Sequence, residues 1–357
     1  MKIAVIGNSL TAIKTIEELK TQGEDVEAVF VSSENTFPYL RHQLDSLPSK
    51  KVTQNKILYR ANTEYEKEKI QFIFDKKVTR INFKRGRITL DDKEQIDYDV
   101  LLLSDLVLPP FFGLKGANKT GLYNVKRLFD INALIKALPG VETIVIESDH
   151  LSGLKAALAF ASLAANPPKE VILVTSRKNV LGGLLNENDA ASLEVLLTQG
   201  GLRIIAQNQI AEILGDNEAK AVRLQNGKVF GCQAILTDSD LPDLRLFKES
   251  ELQHNQRVVV NEKHQTNFDN VFALDSVCDT ITFNDWDMSL SYPLLAQEQS
   301  KVIAAAILKK EYVQSVPIPS LVWDIEAGSE KVTFSVGSEE SKMLQMQSSK
   351  QEAALNA

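Results

Sequence analysis

The sequence predicts an α/β protein of two tandem, doubly wound units followed by a short C-terminal α+β element. Three observations carry that expectation. An apolar run at residues 2–6 ends in Gly7 and passes at once into a helical pattern. The same succession of strand, tight connection and amphipathic helix recurs at residues 143–160. Each copy then closes through a hairpin and a continuous apolar strand, at residues 78–103 in the first and 221–236 in the second, as expected for βαβ architecture built twice.

In the first copy, Ala12, Ile13, Ile16 and Leu19 recur at helical spacing up to Gln22-Gly23, and residues 26–31 read as a second buried strand. A polar connection through Thr36 and Arg41 leads to a helical stretch near 62–69 and a strand at 70–74. Residues 78–83 and 88–90 alternate around Arg85-Gly86 as a hairpin, and 100–103 is a fully apolar strand. Pro109-Pro110 and Gly113 mark a crossing between domains. The second copy has strands at 144–146, 171–174 and 202–205, helices from Ser152 and at 187–198, a hairpin around Asn226-Gly227, and a closing strand at 234–236. Strands at 257–260 and 271–274 fall outside that pattern and suit a return to the first sheet. Pro293 opens a helix to about Lys309 with an apolar stripe of Leu294, Leu295, Val302, Ile303 and Ile307, fit for core or a subunit interface. Short strands are expected at 321–323 and 332–336, and the Gln/Ser/Glu-rich tail from 338 is expected to be disordered.

The 357 residues are 44% hydrophobic and 24% charged, ordinary for two globular domains with a small third. A net charge of −7 argues against nucleic acid as the main partner, because a phosphate backbone needs a basic face. Cys232 and Cys278 are too far apart in sequence to form a CxxC-like redox or zinc pair and read as core residues in a reducing compartment. His42, His150, His254 and His264 share no metal-like spacing, so no metal site is expected. The N-terminal apolar run is too short for a signal core and no stretch reaches the length of a membrane span, so a cytoplasmic protein without membrane contact is expected.

The segments VIGNSLTA, SSENTFPYLR, YDVLLLSDLVLPP, NVFALDSVCD and YPLLAQEQSKVIAAAIL, with the unit from Thr143, resemble in order and spacing the FAD-dependent pyridine nucleotide-disulfide oxidoreductases. The nearest branch is that of the rubredoxin, ferredoxin and nitrite reductase flavoproteins, which lack a redox disulfide. The resemblance covers about residues 1–325 and implies two tandem Rossmann-like FAD/NAD(P)-binding domains. Residues 1–110 would be the first part of the FAD-type domain, 111–240 the NAD(P)-type domain, 241–280 the return to the FAD type, 281–337 a truncated interface-type domain and 338–357 the tail.

The flavin fingerprint G-x-G-x-x-G/A reads Gly7, Ser9 and Ala12, with a side chain at Ser9 where backbone should approach the pyrophosphate. The resemblance places Glu34 on the adenosine ribose and Arg41, within Tyr39-x-Arg41, beside the cofactor; a solvated acid and a surface arginine are the competing reading. The family's Ala-Thr-Gly is Ser104-Asp105-Leu106, its Gly-Asp aligns without gaps to Asp275-Ser276, and a lysine near the isoalloxazine falls near Ser46. A one-residue slip would bring Asp275 into the acid's place. The expected cofactor-binding set is therefore Gly7, Ser9, Ala12, Glu34, Arg41 and Ser276, with FAD at a weakened site and no catalytic residue assigned. In the second fingerprint the three glycines align to Glu147, Asp149 and Ser152. A carboxylate ~4 Å from one phosphate charge costs on the order of 4 kcal/mol at an effective dielectric near 20, which erases ordinary NAD(P)H binding. Glu147 and Asp149 then read as anions supplied by the chain to its own helix start, with Ser152 as N-cap. Arg177 is either a 2′-phosphate contact or a surface arginine, and Gly182-Gly183 reads as a plain turn.

Three functions stay open. One is a diverged homologue that has lost NAD(P)H binding and flavin redox activity and serves as a binding or structural subunit, in an oligomer or beside an active paralogous partner. Another is an active FAD-dependent oxidoreductase working between NAD(P)H or a protein donor and a redox protein such as rubredoxin or ferredoxin. The third is a sensor of ADP-like ligands.

Overall fold

The computed structural model of the chain describes residues 1–163, 168–181, 185–278 and 295–312, and the backbone of 293–294, 322–327, 330–336 and 344–348. Contacts divide the chain into two compact units, one of residues 1–42, 53–108 and 240–315 and one of 43–52, 109–239 and 316–357. In chain order the first unit begins with β1 (Lys2–Ile6), α1 (Leu10–Thr21) and β2 (Glu27–Val31), then the short helices α2 (Gln54–Ile57) and α3 (Asn62–Lys67) and β3 (Ile70–Ile73). An antiparallel layer of β4 (Val78–Asn82), β5 (Arg87–Leu90) and β6 (Gln95–Asp97) precedes β7 (Val100–Leu103). The second unit runs β8 (Leu122–Asn124), α4 (Leu128–Ala137), β9 (Thr143–Glu147), α5 (Leu151–Ala161), β10 (Glu170–Val174), α6 (Glu187–Gln199) and β11 (Leu202–Ile205). It continues with β12 (Ile210–Leu214), β13 (Ala221–Leu224), β14 (Val229–Gly231) and β15 (Ala234–Thr237). The chain then adds β16 (Val271–Ala273) and α7 (Pro293–Ile307), followed by β17 (Val322–Ala327), β18 (Glu330–Val336) and β19 (Leu344–Ser348).

Each unit holds a five-stranded parallel sheet of matching order. The first is β3-β2-β1-β7-β16 and the second β11-β10-β9-β15-β8. Strand alternation sorts the first core into two layers. Ile3, Val5, Ala28, Phe30 and Leu102 pack with Leu10, Ile13, Ile16 and Leu19 of α1 and with Ile303 and Ala304 of α7. Ala4, Ile6, Val31, Leu101 and Leu103 face the other way, onto Ile88 and Leu90 of the antiparallel layer. In the second unit Val145, Ile172, Val174 and Ile235 pack on Ile213, Val222 and Leu224 of its own antiparallel layer.

The structure departs from the sequence reading at several elements. α4 went unread; Leu128, Ile131 and Leu134 are spaced by three and all buried. The hairpins at 78–90 and 221–229 are each part of a three-stranded sheet, through β6 and β12. Residues 257–260 form no strand, and Val258 makes isolated bridges to His254 and Cys278. The tail expected to be disordered contributes β19, antiparallel to β18, where Leu344, Met346 and Ser348 alternate with glutamines at the period of a strand. Residues 182–184, with the expected turn, and 338–343 and 349–357 of the tail lie outside the described residues.

Candidate functional site

The loop from β1 to α1 is shaped by Gly7. Its φ is +117°, and a Cβ there would stand 2.1 Å from the Ser104 carbonyl oxygen, so a side chain fits neither the backbone nor the space. Its N–H donates to the Val31 carbonyl at 2.8 Å. Ser9 is the N-cap of α1, 2% exposed, and its hydroxyl accepts from the Ala12 N–H at 3.0 Å. That bond occupies one of the helix-start donors that an anion would otherwise receive.

The side chains expected around a cofactor gather in the same unit. Glu34, 6% exposed, accepts from the Tyr39 hydroxyl at 3.0 Å, and its N–H donates to Ser32 Oγ at 3.0 Å. The Arg41 guanidinium lies 5.3 Å from the centre of the Tyr39 ring and pairs with Asp105. Burial pulls the Arg41 pKa down, but the charges of Asp105, Tyr39 and Glu34 outweigh it and hold the guanidinium protonated. Asp275, at φ +51°, accepts from the Thr11 hydroxyl at 2.6 Å, and its other oxygen is buried with no hydrogen-bond partner among the described residues. Burial raises its pKa against the hydrogen bonds of Thr11 and Ser9 and the charge of Arg41. The carboxylate at the start of α1 is thus Asp275. Ser276, which takes the acid's place in the ungapped alignment, presents its main-chain carbonyl to Arg257.

In the second unit the two sheets give a residue-by-residue equivalence that corrects the fingerprint. Ile6 lies opposite Val31 and Leu103, and Glu147 opposite Val174 and Thr237. The Ser148 N–H donates to the Val174 carbonyl at 3.0 Å, as Gly7 does to Val31. Helix α5 starts at Leu151 with His150 as N-cap, as α1 starts at Leu10 after Ser9. The fingerprint positions are therefore Ser148, His150 and Gly153, one residue on from Glu147, Asp149 and Ser152. The third glycine is present, and Ser152 is the second residue of the helix rather than its cap. The slip arose because the apolar run stops at Ile146 while the strand continues through Glu147.

Glu147 and Asp149 do not serve the helix start. Glu147 Oε1 accepts from the Ile210 N–H at 3.3 Å, and burial, against that bond and reinforced by the charges of Asp149 and Asp238, pushes its pKa up to about 7. Asp149 accepts from Thr175 Oγ1 at 2.6 Å and the Ser176 N–H at 2.8 Å; burial works against ionisation, but the bonds from Ser176 and Thr175 and the charge of Arg177 keep its pKa low. The anion on α5 comes instead from Asp238, 3% exposed. Its Oδ2 accepts from the Ser152 hydroxyl at 2.9 Å, the Gly153 N–H at 3.2 Å and the Ser148 hydroxyl, with His150 Nδ1 at 3.5 Å. Sequence reasoning missed Asp238. Pairing the closing strands of the two copies, Leu103-Ser104 against Thr237-Asp238, was the signal that would have found it.

Arg177 occupies the counterpart of Glu34, three residues past the second strand. Its N–H donates to Thr175 Oγ1 at 3.2 Å, as that of Glu34 does to Ser32. Cys232 and Cys278 are buried, and burial pushes the Cys232 thiol up to about 12. Among the described residues no helix is long and apolar enough to cross a membrane.

The family described as pyridine nucleotide-disulphide oxidoreductase matches residues 1–306. The chain is 24% identical over 325 residues to the assimilatory nitrate reductase electron transfer subunit of Bacillus subtilis, covering 90% of this chain and 41% of that protein. It thus spans less than half of that relative. It is also 24% identical over 327 residues to the ferredoxin reductase component of chlorobenzene dioxygenase from a Cupriavidus species, covering 91% of this chain and 78% of the relative. Among solved structures, a covalent putidaredoxin reductase–putidaredoxin complex shares the fold at a TM-score of 0.77 and 19% identity, over 95% of this chain and 82% of that one.

Proposed function

The chain belongs to the pyridine nucleotide-disulphide oxidoreductase family, and from its two helix starts we propose that it is a diverged flavin reductase homologue that no longer binds NAD(P)H and serves as a binding or structural subunit. The observation that carries this reading is the Asp238 carboxylate, which takes the Ser148, Ser152 and Gly153 donors at the start of α5. A dinucleotide phosphate brought there meets a buried negative charge, a penalty on the order of 4 kcal/mol at ~4 Å, or about a thousandfold in affinity. The second unit does not fit the nicotinamide dinucleotide.

The first unit fits FAD in part. Gly7 leaves room for close backbone approach, and Glu34 stands where an adenosine ribose would be held. Asp275 at the start of α1 takes the place of the family's acid; against these, Ser9 caps its own helix and Asp105 engages Arg41. An absorbance spectrum of the purified protein after incubation with excess FAD, followed by addition of NADH or NADPH and an artificial electron acceptor, tests the proposal. The expected outcome is no nicotinamide oxidation, with or without bound flavin; turnover of either nicotinamide would sink it.

The geometry of Gly7 and Glu34 favours a second reading, an active FAD-dependent oxidoreductase that passes electrons from NAD(P)H or a protein donor to a redox protein. The names of its relatives support the same reading. Flavin that is bound and bleached by NADH would favour this reading over the first.

A further inference from the structure

The two units carry the same loop twice, which makes each a control for the other. Ser104 follows β7 where Asp238 follows β15, and Gly7 follows β1 where Ser148 follows β9. In the first unit the residue after the fourth strand brings its backbone against the glycine. In the second, Asp238 reaches into the helix start, where Gly153 leaves room for the Ser148 side chain that bonds it: a Cβ there would stand 2.2 Å from that side chain and 3.1 Å from Asp238 Oδ2. The carboxylate collects two hydroxyl donors and one main-chain N–H on a single oxygen, a donor set that also suits a phosphate oxygen.

We propose that Asp238 is the specificity-determining residue of the second unit, a side-chain anion held in the position of a nucleotide phosphate, and that its replacement by the first unit's serine opens the position to an ADP moiety. The inference rests on the reading that the second unit does not bind NAD(P)H. With Asp238→Ser the Ser148 and Ser152 hydroxyls and the Gly153 N–H are released to an incoming phosphate, and the buried charge that repels it is gone. Arg177, the counterpart of Glu34, would then face the adenosine side without adding negative charge.

The test is calorimetric titration of the full chain with ADP and with NADH, in saturating FAD so that any binding in the first unit is already satisfied. The wild type is expected to give no heat at millimolar ligand, and Asp238→Ser to bind one equivalent at least tenfold more tightly than that limit. Asp238→Asn, of the same size without the charge, accompanies it, and circular dichroism checks the fold of both. Binding of NADH by the wild type would overturn the loss of NAD(P)H binding and the gate with it. A silent wild type with silent, folded variants would overturn the gate alone. Failure of both variants to fold would overturn it as well, by making Asp238 a folding residue.

Discussion

Glu147 is a buried acid whose role can be read through pH. Its pKa is raised from 4.5 to about 7, chiefly by burial, so the native state keeps a proton that the unfolded chain has released. The stabilisation is complete below about pH 4.5 and is lost as pH rises through about 7. Glu147→Gln, which cannot ionise, is expected to be more stable than the wild type at pH 8 by up to about 3 kcal/mol and no more stable near pH 4. Chemical denaturation at the two pH values checks this; an equal difference at both would remove the titration argument. At this scale the sequence was least legible. It names Gly7, Glu34 and Arg41 for a single site, because a fingerprint carries short-range geometry. Asp238, ninety residues beyond Ser148, closes the same loop and is legible only by comparing the two copies, since nothing local marks a carboxylate at the end of a strand as turned inward.

Helix starts decide what these loops can hold. On α1 the cap is a serine hydroxyl bonded to the Ala12 N–H, and on α5 the His150 cap makes no side-chain cap bond while Asp238 supplies the acceptor. Ser9→Ala is expected to cost about 1 kcal/mol of stability, the usual range for a lost N-cap. Added FAD should recover part of that loss if the amide then meets a phosphate. Melting temperatures with and without FAD measure both effects, and an unchanged melting temperature in the absence of ligand would deny the cap its role. Most strands and long helices were legible, because buried parallel strands write continuous apolar runs and amphipathic helices a period of 3.6. Elements such as α4 and β19 were not. Their patterns are short, and only tertiary pairing, as of β19 with β18, settles them.

Two buried groups, one in each unit, contribute to stability with opposite dependence on pH. His264 in the first unit is buried beside Cys278, its Nδ1 3.7 Å from the thiol sulphur, and burial lowers its pKa from 6.5 to about 4. Its stabilising contribution is full above about 6.5 and is lost as pH falls through about 4, whereas that of Glu147 in the second unit grows over the same fall. Hydrogen exchange compared at pH 7.5 and pH 5 should therefore show protection around His264 and β16 falling relative to protection around β9. A uniform change across both units would contradict it. The repeated architecture was legible as a whole because each copy repeats the same order of runs, hairpin and closing strand. The order in which the chain supplies its strands has a further consequence, for synthesis. All five strands of the second sheet lie between residues 122 and 237, but the first sheet takes its last strand from β16 and a covering helix from α7. On the ribosome the parallel sheet that begins first is completed last: its edge waits unpaired until β16 at 271–273 has emerged and part of one face stays bare until α7 at 293–307 follows, the interval in which a chaperone would find it.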